Sequence, residues 1–172
     1  MKPVLAITRR LPEAVEKRAR ESYDLRMQDG DDPLSRDQIL DLCKDANAAL
    51  VSVGDPIDAA FFAALPQKVG IIATFSVGTD HIDLAAAKAN GFVIGNTPGV
   101  LTDATADQAV GLMLAVARGI SLGDWKIRAG QWKGWNPIDS LGTHVTGATL
   151  GIIGFGRIGQ AMAKRCHFGF DM

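Results

Sequence analysis

Five short apolar runs, separated by stretches with helical patterning, occupy the first hundred residues of the chain. Parallel strands need crossover connections, and helices usually supply them, so this alternation predicts a parallel sheet covered by helices on both faces. The predicted fold class is therefore α/β. The runs, which are the candidate strands, span residues 4–7, 23–27, 48–53, 69–75 and 92–94.

Two helices of this region have recognisable boundaries. Ser35 stands three residues before Gln38, which is the spacing of a capping box. Asp83 precedes an alanine-rich run over residues 84–90, and Gly91 can end that run in the left-handed conformation. We therefore expect one helix after Ser35 and another after Asp83.

A cluster of turn residues, GNTPG at 95–99, follows the last candidate strand. Proline removes a backbone donor and restricts the residue before it, so we place a hinge in this cluster. The predicted domains are residues 1–97 and 98–172.

The second domain begins with a helical pattern. Thr102 and Asp103 are predicted to cap a helix whose middle, residues 109–117, is almost entirely small or apolar. We expect that helix to be buried on most sides. A further helix over residues 121–129 should end at Gly130.

Trp132 and Trp135 lie in a polar loop after this second helix. Exposed tryptophans are enriched where proteins meet partners, but the same residues could cover the domain's own core. The sequence leaves both interpretations open.

The charge balance favours small-molecule ligands. The formal net charge is −1 and no block of Lys or Arg occurs, which argues against nucleic acid or an anionic membrane as the main partner. No apolar run approaches the ~20 residues of a membrane span. Cys43 and Cys166 lack metal-site spacing, so we expect free thiols, no metal site and a cytoplasmic location.

The segment GIIGFGRIGQ, residues 151–160, has the pattern of a dinucleotide-binding turn. A strand pattern over residues 150–153 is followed by GxGxxG at 154–159 and a helical pattern over 160–165. The glycines permit a tight bend, close approach of the backbone to a pyrophosphate, and close packing of helix on strand. The alternative is a glycine turn that binds nothing. The residue that reads the ribose comes roughly 20 residues after the first glycine, so the choice between NAD and NADP stays open.

The segment SVGTDHID, residues 76–83, reads as a strand end that turns into a helix start. Ligands of open α/β sheets bind outside the carboxyl ends of the strands. We therefore expect the amides of Val77 and Gly78 to point outward and to bind a small carboxylate. The alternative is a plain turn with Asp83 as its helix cap.

The histidines do not form a recognisable catalytic group in the sequence. Ser76, Asp80 and His81 are too close together on one turn to adopt the geometry of a nucleophilic triad. His144 and His167 have no acidic neighbour within three residues on either side.

Four segments together resemble the D-isomer-specific 2-hydroxyacid dehydrogenases, and within that family the glyoxylate and hydroxypyruvate reductases. The resemblance runs along the whole chain but covers only about the N-terminal half of a family member. The segments are SVGTDHID (76–83), GNTPGVLTDATADQAVGLMLAVAR (95–118), GQWKGWNP (130–137) and TLGIIGFGRIGQAMAKR (149–165).

The resemblance implies a flavodoxin-like substrate domain followed by the start of a Rossmann domain that binds NAD or NADP. It further implies a homodimer through the helices of residues 102–130, with a 2-oxo or 2-hydroxy acid as substrate. The implied substrate-binding residues are Ser52, Val53, Gly54, Ser76, Val77 and Gly78. The implied cofactor-binding residues are Thr102, Gly154, Phe155, Gly156, Arg157, Ile158 and Gly159.

In the family, the catalytic arginine, carboxylate and histidine follow the glycine motif, so none has a counterpart in residues 1–172. His81, His144 and His167 are not substitutes. We therefore expect the front portion of a longer dehydrogenase, inactive by itself. The alternatives are a dinucleotide-sensing binding protein of the same fold, a sister dehydrogenase acting on phosphoglycerate or D-lactate, and a chain that dimerises without chemistry.

Overall fold

The structure is a computed structural model that describes residues 1–30 and 32–172. The chain divides into two compact units, Met1–Val100 and Leu101–Met172. None of the helices in these residues is long and apolar enough to cross a membrane.

The first unit contains a sheet of five parallel strands. The strands are β1 (Val4–Ile7), β2 (Asp24–Met27), β3 (Ala48–Val51), β4 (Ile71–Thr74) and β5 (Val93–Gly95). Their order in the sheet is β2-β1-β3-β4-β5, which is the strand order of flavodoxin-like folds and confirms the predicted α/β class. The helices between them are α1 (Glu13–Ser22), α2 (Arg36–Cys43), α3 (Ala59–Ala64) and α4 (Leu84–Ala89).

The core of this unit lies between the sheet and its helices. Phe61 and Phe62 of α3 meet edge to face with ring centroids 5.7 Å apart, and Phe62 also lies 5.6 Å from Phe92. Such ring contacts stabilise the core beyond the contribution of the buried aromatic surface itself. The largest fully buried apolar side chains of this core are Ile7, Ile39, Val51, Ile57, Phe61, Phe62, Val69 and Ile72.

Both predicted helix starts in this unit are confirmed. The Ser35 hydroxyl accepts from the Gln38 amide, and the Gln38 side chain accepts from the Ser35 amide, which completes the capping box. The Asp83 carboxylate accepts from the amide of Ala86 at 2.9 Å, and Gly91 has a φ of +79°. These local bonds satisfy amides that a helix start otherwise leaves free.

The second unit consists of three helices and their loops in the described structure: α5 (Thr102–Ala117), α6 (Ile120–Arg128) and α7 (Arg157–Phe170). The prediction that Thr102 and Asp103 cap α5 is wrong. Both lie in its first turn, because the backbone becomes helical one residue after Leu101, which occupies the cap position without a side-chain bond. Asp103 instead forms an ion pair with Arg165 of α7.

The prediction that α5 is buried on most sides is also wrong. Ala106 is its buried residue, whereas Leu112 and Val116 are 57% and 83% exposed. The physical reason is that α6 and α7 are the helices that pack against α5, and no sheet forms among residues 101–172 to cover the rest of its surface. Trp132 and Trp135 are exposed as well, so they do not cover the core of their own unit.

The predicted strand over residues 150–153 does not form. A strand is stabilised by hydrogen bonds to a neighbouring strand, and the residues described after 100 include no other strand to pair with it. Ile153 is fully exposed as a result. The helix that follows starts at Arg157, earlier than the predicted residue 160, and continues to Phe170.

Candidate functional site

The loops that follow β3 and β4 lie side by side at one edge of the sheet. Val51 pairs with Thr74 at the ends of these strands, and the amide of Phe75 donates to the Val51 carbonyl at 2.9 Å. The segment Ser52, Val53, Gly54 therefore neighbours the segment Ser76, Val77, Gly78. The structure brings the predicted substrate-side residues together, and their role remains a prediction.

A buried carboxylate holds the Ser52 loop. One Asp55 oxygen, Oδ2, accepts from the Ser52 amide at 2.7 Å and from the Thr8 hydroxyl at 2.5 Å. Asp55 is 3% exposed, and Gly54 before it has a φ of +99°, a conformation that favours glycine. The loop is thus fixed at its base, while Val53 at its tip is 64% exposed.

Residues 76–78 form a turn after β4, called the Ser76 turn below, and each of its three carbonyls accepts a hydrogen bond from the protein. Thr97 donates to the Ser76 carbonyl from both its amide and its hydroxyl, each at 3.0 Å. Asn96 donates its side-chain amide to the Val77 carbonyl at 2.8 Å, and the Ser76 hydroxyl donates to the Gly78 carbonyl at 2.7 Å. The residues after β5 therefore fix the turn from one side.

The amides of Ser76, Val77 and Gly78 have no protein acceptor within residues 1–30 and 32–172. A peptide plane whose carbonyl is bound on one side directs its amide to the other, and successive free amides form a concave anion site. A carboxylate is the ligand that such donors suit, because hydrogen bonds to an ionised acceptor are short and strong.

The sequence analysis missed Thr74, the last residue of β4. Its hydroxyl lies 2.7 Å from the Ser76 hydroxyl and 2.9 Å from Nε2 of His81, and the residue is 1% exposed. A hydroxyl at the final position of an otherwise apolar strand was the available signal. His81 thus contacts Thr74. The described structure shows no hydrogen bond from His81 to Ser76 or Asp80, in agreement with the expectation that these three residues do not form a triad.

In the second unit, the glycine motif forms a tight turn into α7. Gly154 has a φ of +88°, and Gly156 is the residue before the helix. A Cβ on Gly159 would stand 2.3 Å from the Gly154 carbonyl oxygen, so only glycine fits there without a shift. A Cβ on Gly156 would have no neighbour within 4 Å, which leaves room on that side of the backbone.

These features fit a dinucleotide pyrophosphate. The start of α7 has no side-chain cap, so its first amides and the positive end of the helix dipole are available to phosphate. Phe155 and Ile158 are exposed beside the turn, as is Arg157, the first helical residue. The Gln160 side chain donates to the Phe155 carbonyl at 3.1 Å and steadies the bend.

Thr102, the remaining predicted cofactor-side residue, begins α5 and is partly exposed. Arg165 of α7 holds this end of α5 through Asp107 at 2.5 Å and Asp103 at 2.9 Å. The hydrogen bond to Asp107, followed by that to Asp103, raises the pKa of the Arg165 guanidinium. The start of α5 is therefore fixed relative to the helix that carries the glycine turn.

The chain matches the family model for the D-isomer specific 2-hydroxyacid dehydrogenase catalytic domain over residues 5–164. It is 43% identical over 172 residues to a glycerate dehydrogenase from Hyphomicrobium methylovorum, which covers 99% of this chain and 53% of that protein. It is also 43% identical over 176 residues to a glyoxylate reductase from Thermococcus onnurineus, which covers 100% of this chain and 52% of the relative. The chain thus spans about half the length of the curated relatives it matches.

A solved structure shows the same likeness. A Polaromonas protein assigned to the NAD-binding D-isomer specific 2-hydroxyacid dehydrogenases has a TM-score of 0.89 and 37% identity, over 98% of this chain and 53% of that one. Sequence and structure therefore agree along the chain. It belongs to the D-isomer specific 2-hydroxyacid dehydrogenase family, and its relatives in that family, a glycerate dehydrogenase and a glyoxylate reductase, are oxidoreductases.

Proposed function

We propose that the chain is part of an NAD(P)-dependent oxidoreductase that reduces a 2-oxo acid, such as glyoxylate or hydroxypyruvate, to the D-2-hydroxy acid. The observation that carries the proposal is the Ser76 turn, whose carbonyls are bound by the protein and whose amides have no acceptor among the described residues. Both a 2-oxo acid and its hydroxy acid product carry the carboxylate that this turn suits.

Each loop has a distinct role in this proposal. The Val77 and Gly78 amides hold the substrate carboxylate, and Ser76 contributes through its backbone. The segment Ser52, Val53, Gly54 lines the neighbouring wall, and Asp55 keeps it in place through the Ser52 amide. Binding the carboxylate at a fixed point orients the adjacent keto carbon.

The glycine turn would hold the cofactor. In this proposal the pyrophosphate lies against the turn formed by Gly154, Phe155, Gly156, Arg157, Ile158 and Gly159, and Thr102 also contacts the cofactor. NAD(P)H supplies a hydride to the keto carbon when it is bound. Both NAD and NADP remain candidates, since residues 154–159 contact the phosphates that the two cofactors share.

The proton donor and the orienting arginine of the family have no counterpart among residues 1–172. Proton transfer alone contributes about 10²- to 10⁴-fold in rate. We therefore propose that residues 1–172 bind ligands but do not turn substrate over by themselves. We also propose a homodimer through α5 and α6, supported by their exposed apolar side chains, and a cytoplasmic location, supported by the free thiols of Cys43 and Cys166.

A chimera tests the activity. Residues 1–172 are joined to the C-terminal half of the Hyphomicrobium glycerate dehydrogenase, and NADH or NADPH oxidation is followed with glyoxylate and with hydroxypyruvate. We expect oxidation that depends on the 2-oxo acid in the chimera and none with residues 1–172 alone. Cofactor binding without turnover by the chimera would instead support a dinucleotide-sensing binding protein.

Two glycine variants of the chimera separate substrate binding from folding. In Gly78→Ala the new Cβ would stand 3.3 Å from Oδ2 of Asp80 and crowd the turn. We therefore expect a higher KM for the 2-oxo acid and an unchanged KM for the cofactor. Gly70→Ala is the matched control, because a Cβ there meets nothing within 4 Å. Equal KM values for the 2-oxo acid in the two variants would show that the substrate carboxylate does not bind at this turn.

A further inference from the structure

The hydrogen bonds around Thr74 can be given directions by counting protons. The Ser76 hydroxyl has one proton, and its bond to the Gly78 carbonyl uses that proton, because a carbonyl only accepts. The bond between the Thr74 and Ser76 hydroxyls, 2.7 Å long, is therefore donated by Thr74. The single proton of Thr74 is then also committed.

The same count fixes the state of the His81 ring. Thr74 has no proton left for Nε2 of His81, which lies 2.9 Å from its hydroxyl, so the imidazole must donate. Neutral histidine does so as the Nε2–H tautomer. The bonds run in one direction, from His81 to Thr74, from Thr74 to Ser76, and from Ser76 to the Gly78 carbonyl.

We propose that this directed hydrogen-bond chain holds the Ser76 turn in its carboxylate-binding conformation, which makes His81 and Thr74 positioning residues. The Gly78 carbonyl is bound inside the turn by the last link of the chain. This bond closes a ring over Ser76, Val77 and Gly78, so it restricts the two peptide planes inside the ring, whose amides are those of Val77 and Gly78. Without the Thr74 link, the Ser76 hydroxyl has lost its donor and is free to rotate away.

Burial gives the chain its strength. Thr74 is 1% exposed and His81 is partly buried, so water does not readily replace the link between them. A buried hydroxyl that loses its partner carries the full cost of desolvation. The arrangement therefore has a strong preference for the state in which every link is made.

The first test is nuclear magnetic resonance of the 172-residue chain with ¹⁵N-labelled histidine. The ring nitrogen shifts report which nitrogen carries the proton, and this readout does not depend on substrate or activity. We expect neutral His81 to be protonated at Nε2. Protonation at Nδ1 alone would overturn the proposal.

The second test measures the dissociation constant of oxamate, an unreactive 2-oxo acid analogue, from the shifts of the Val77 and Gly78 amides. Thr74→Val removes the hydroxyl at similar volume, and we expect affinity to fall roughly three- to tenfold, as for loss of one net hydrogen bond. Thr74→Ser keeps the hydroxyl and should bind as the original chain does. Equal affinity in Thr74→Val would contradict the proposal.

Histidine variants distinguish loss of the hydrogen bond from a packing defect caused by replacing the buried Thr74. His81→Gln retains an N–H donor and should keep most of the affinity, whereas His81→Phe should lose as much as Thr74→Val. His144→Phe, at an exposed histidine in the second unit, is the matched control. Loss of affinity in His81→Gln equal to that in His81→Phe would also count against a donor role.

The oxamate titration rests on the proposed function, and the two can fail separately. If the original chain does not bind oxamate, the carboxylate site is wrong. The positioning role is then decided by the amide shifts of Gly78 and Thr79, which we expect to change in Thr74→Val and to be preserved in Thr74→Ser. Unchanged shifts in Thr74→Val would overturn it.

Discussion

Single residues decide the geometry of both candidate sites, and Gly159 is the clearest case. The sequence motif predicted that this glycine allows close packing of helix on strand. The structure shows this close approach: a Cβ on Gly159 would stand 2.3 Å from the Gly154 carbonyl oxygen and 3.3 Å from Cγ2 of Ile152, in the segment before the turn. The hydroxyl of Thr74 at the end of an apolar strand is a signal in the sequence, but the partners of Thr74 and Asp55 are not, since they depend on the fold of the turn and on residues distant in sequence.

Replacing Gly159 with alanine should destabilise the glycine turn. A Cβ 2.3 Å from the Gly154 oxygen forces the backbone to move, at a cost of about 1–3 kcal/mol. We expect lower stability in urea and weaker NADH binding by fluorescence titration. Gly169→Ala in the same helix is the control, because a Cβ at residue 169 would meet nothing within 4 Å. This variant should gain about 0.5–1 kcal/mol of stability from the higher helix propensity of alanine. Equal behaviour of the two variants would contradict the tight turn.

Burial raises the pKa of the Cys43 thiol from 9.0 to about 11. The unfolded thiol ionises first, so the folded state keeps its proton between about pH 9 and 11 and loses stability as pH rises through that range. Each pKa unit corresponds to about 1.4 kcal/mol, so the loss reaches at most about 3 kcal/mol. Urea unfolding as a function of pH should show this loss in the original chain. The free energy of unfolding of the original chain should exceed that of Cys43→Ala by a constant amount below about pH 9, and this difference should shrink above pH 9.

At the scale of elements, the strands of the first unit were predictable because each pairs with neighbours inside the same hundred residues. Each predicted run contains the observed strand, apart from Gly95 at the end of β5, and each excess is one or two residues at an end of the run. The run at 150–153 has equally good strand character, but hydrogen bonding to a neighbour, not local preference, decides whether a strand forms. The same dependence on partners explains why α5 is exposed despite its apolar sequence.

Residues 151–153 should therefore respond to added partner strands. In the 172-residue chain, we expect their amides to exchange hydrogen quickly, because no backbone acceptor is described for them. In the chimera with the glycerate dehydrogenase half, the same amides should exchange slowly as a strand forms. Amides of β4 serve as the internal reference, since their ladder is complete in both proteins. Fast exchange at 151–153 in both would show that this run is not a strand.

The exposed face of α5 should mediate self-association. Val116 is 83% exposed, so Val116→Lys should change the stability of the isolated unit by no more than about 0.5 kcal/mol. The same change places a charge in the proposed dimer interface and should give monomers in light scattering. Val15→Lys, at an exposed position of α1, should leave association intact. A monomeric original chain would disprove the dimer.

For the whole molecule, the burial of apolar residues is very uneven. Among the residues that the structure describes, all the buried hydrophobic ones except Ala106 and Cys166 belong to Met1–Val100. Hydrophobic burial is the main favourable term in folding, so the two units should differ widely in stability. A single free energy of unfolding does not describe such a chain.

We expect two unfolding transitions on heating, with Leu101–Met172 first. Hydrogen exchange followed by mass spectrometry, read separately for peptides of each unit, should show exchange in the second unit at temperatures where β1, β3 and β4 remain protected. The three tryptophans, Trp125, Trp132 and Trp135, all lie in the second unit, so their fluorescence reports on it alone. Coincident loss of protection in both units would show that they unfold as one.

The parallel sheet of the first unit also has a consequence for biosynthesis. All five strands lie between Val4 and Gly95, so every residue of the sheet is translated before the second unit, which begins at Leu101. Domains generally fold from the N-terminus during synthesis, at about 5–20 residues added per second. The Ser76 turn can thus be complete on the ribosome while the glycine turn has yet to be made, and a nascent chain would acquire the proposed acid-binding face seconds before the proposed nucleotide-binding face.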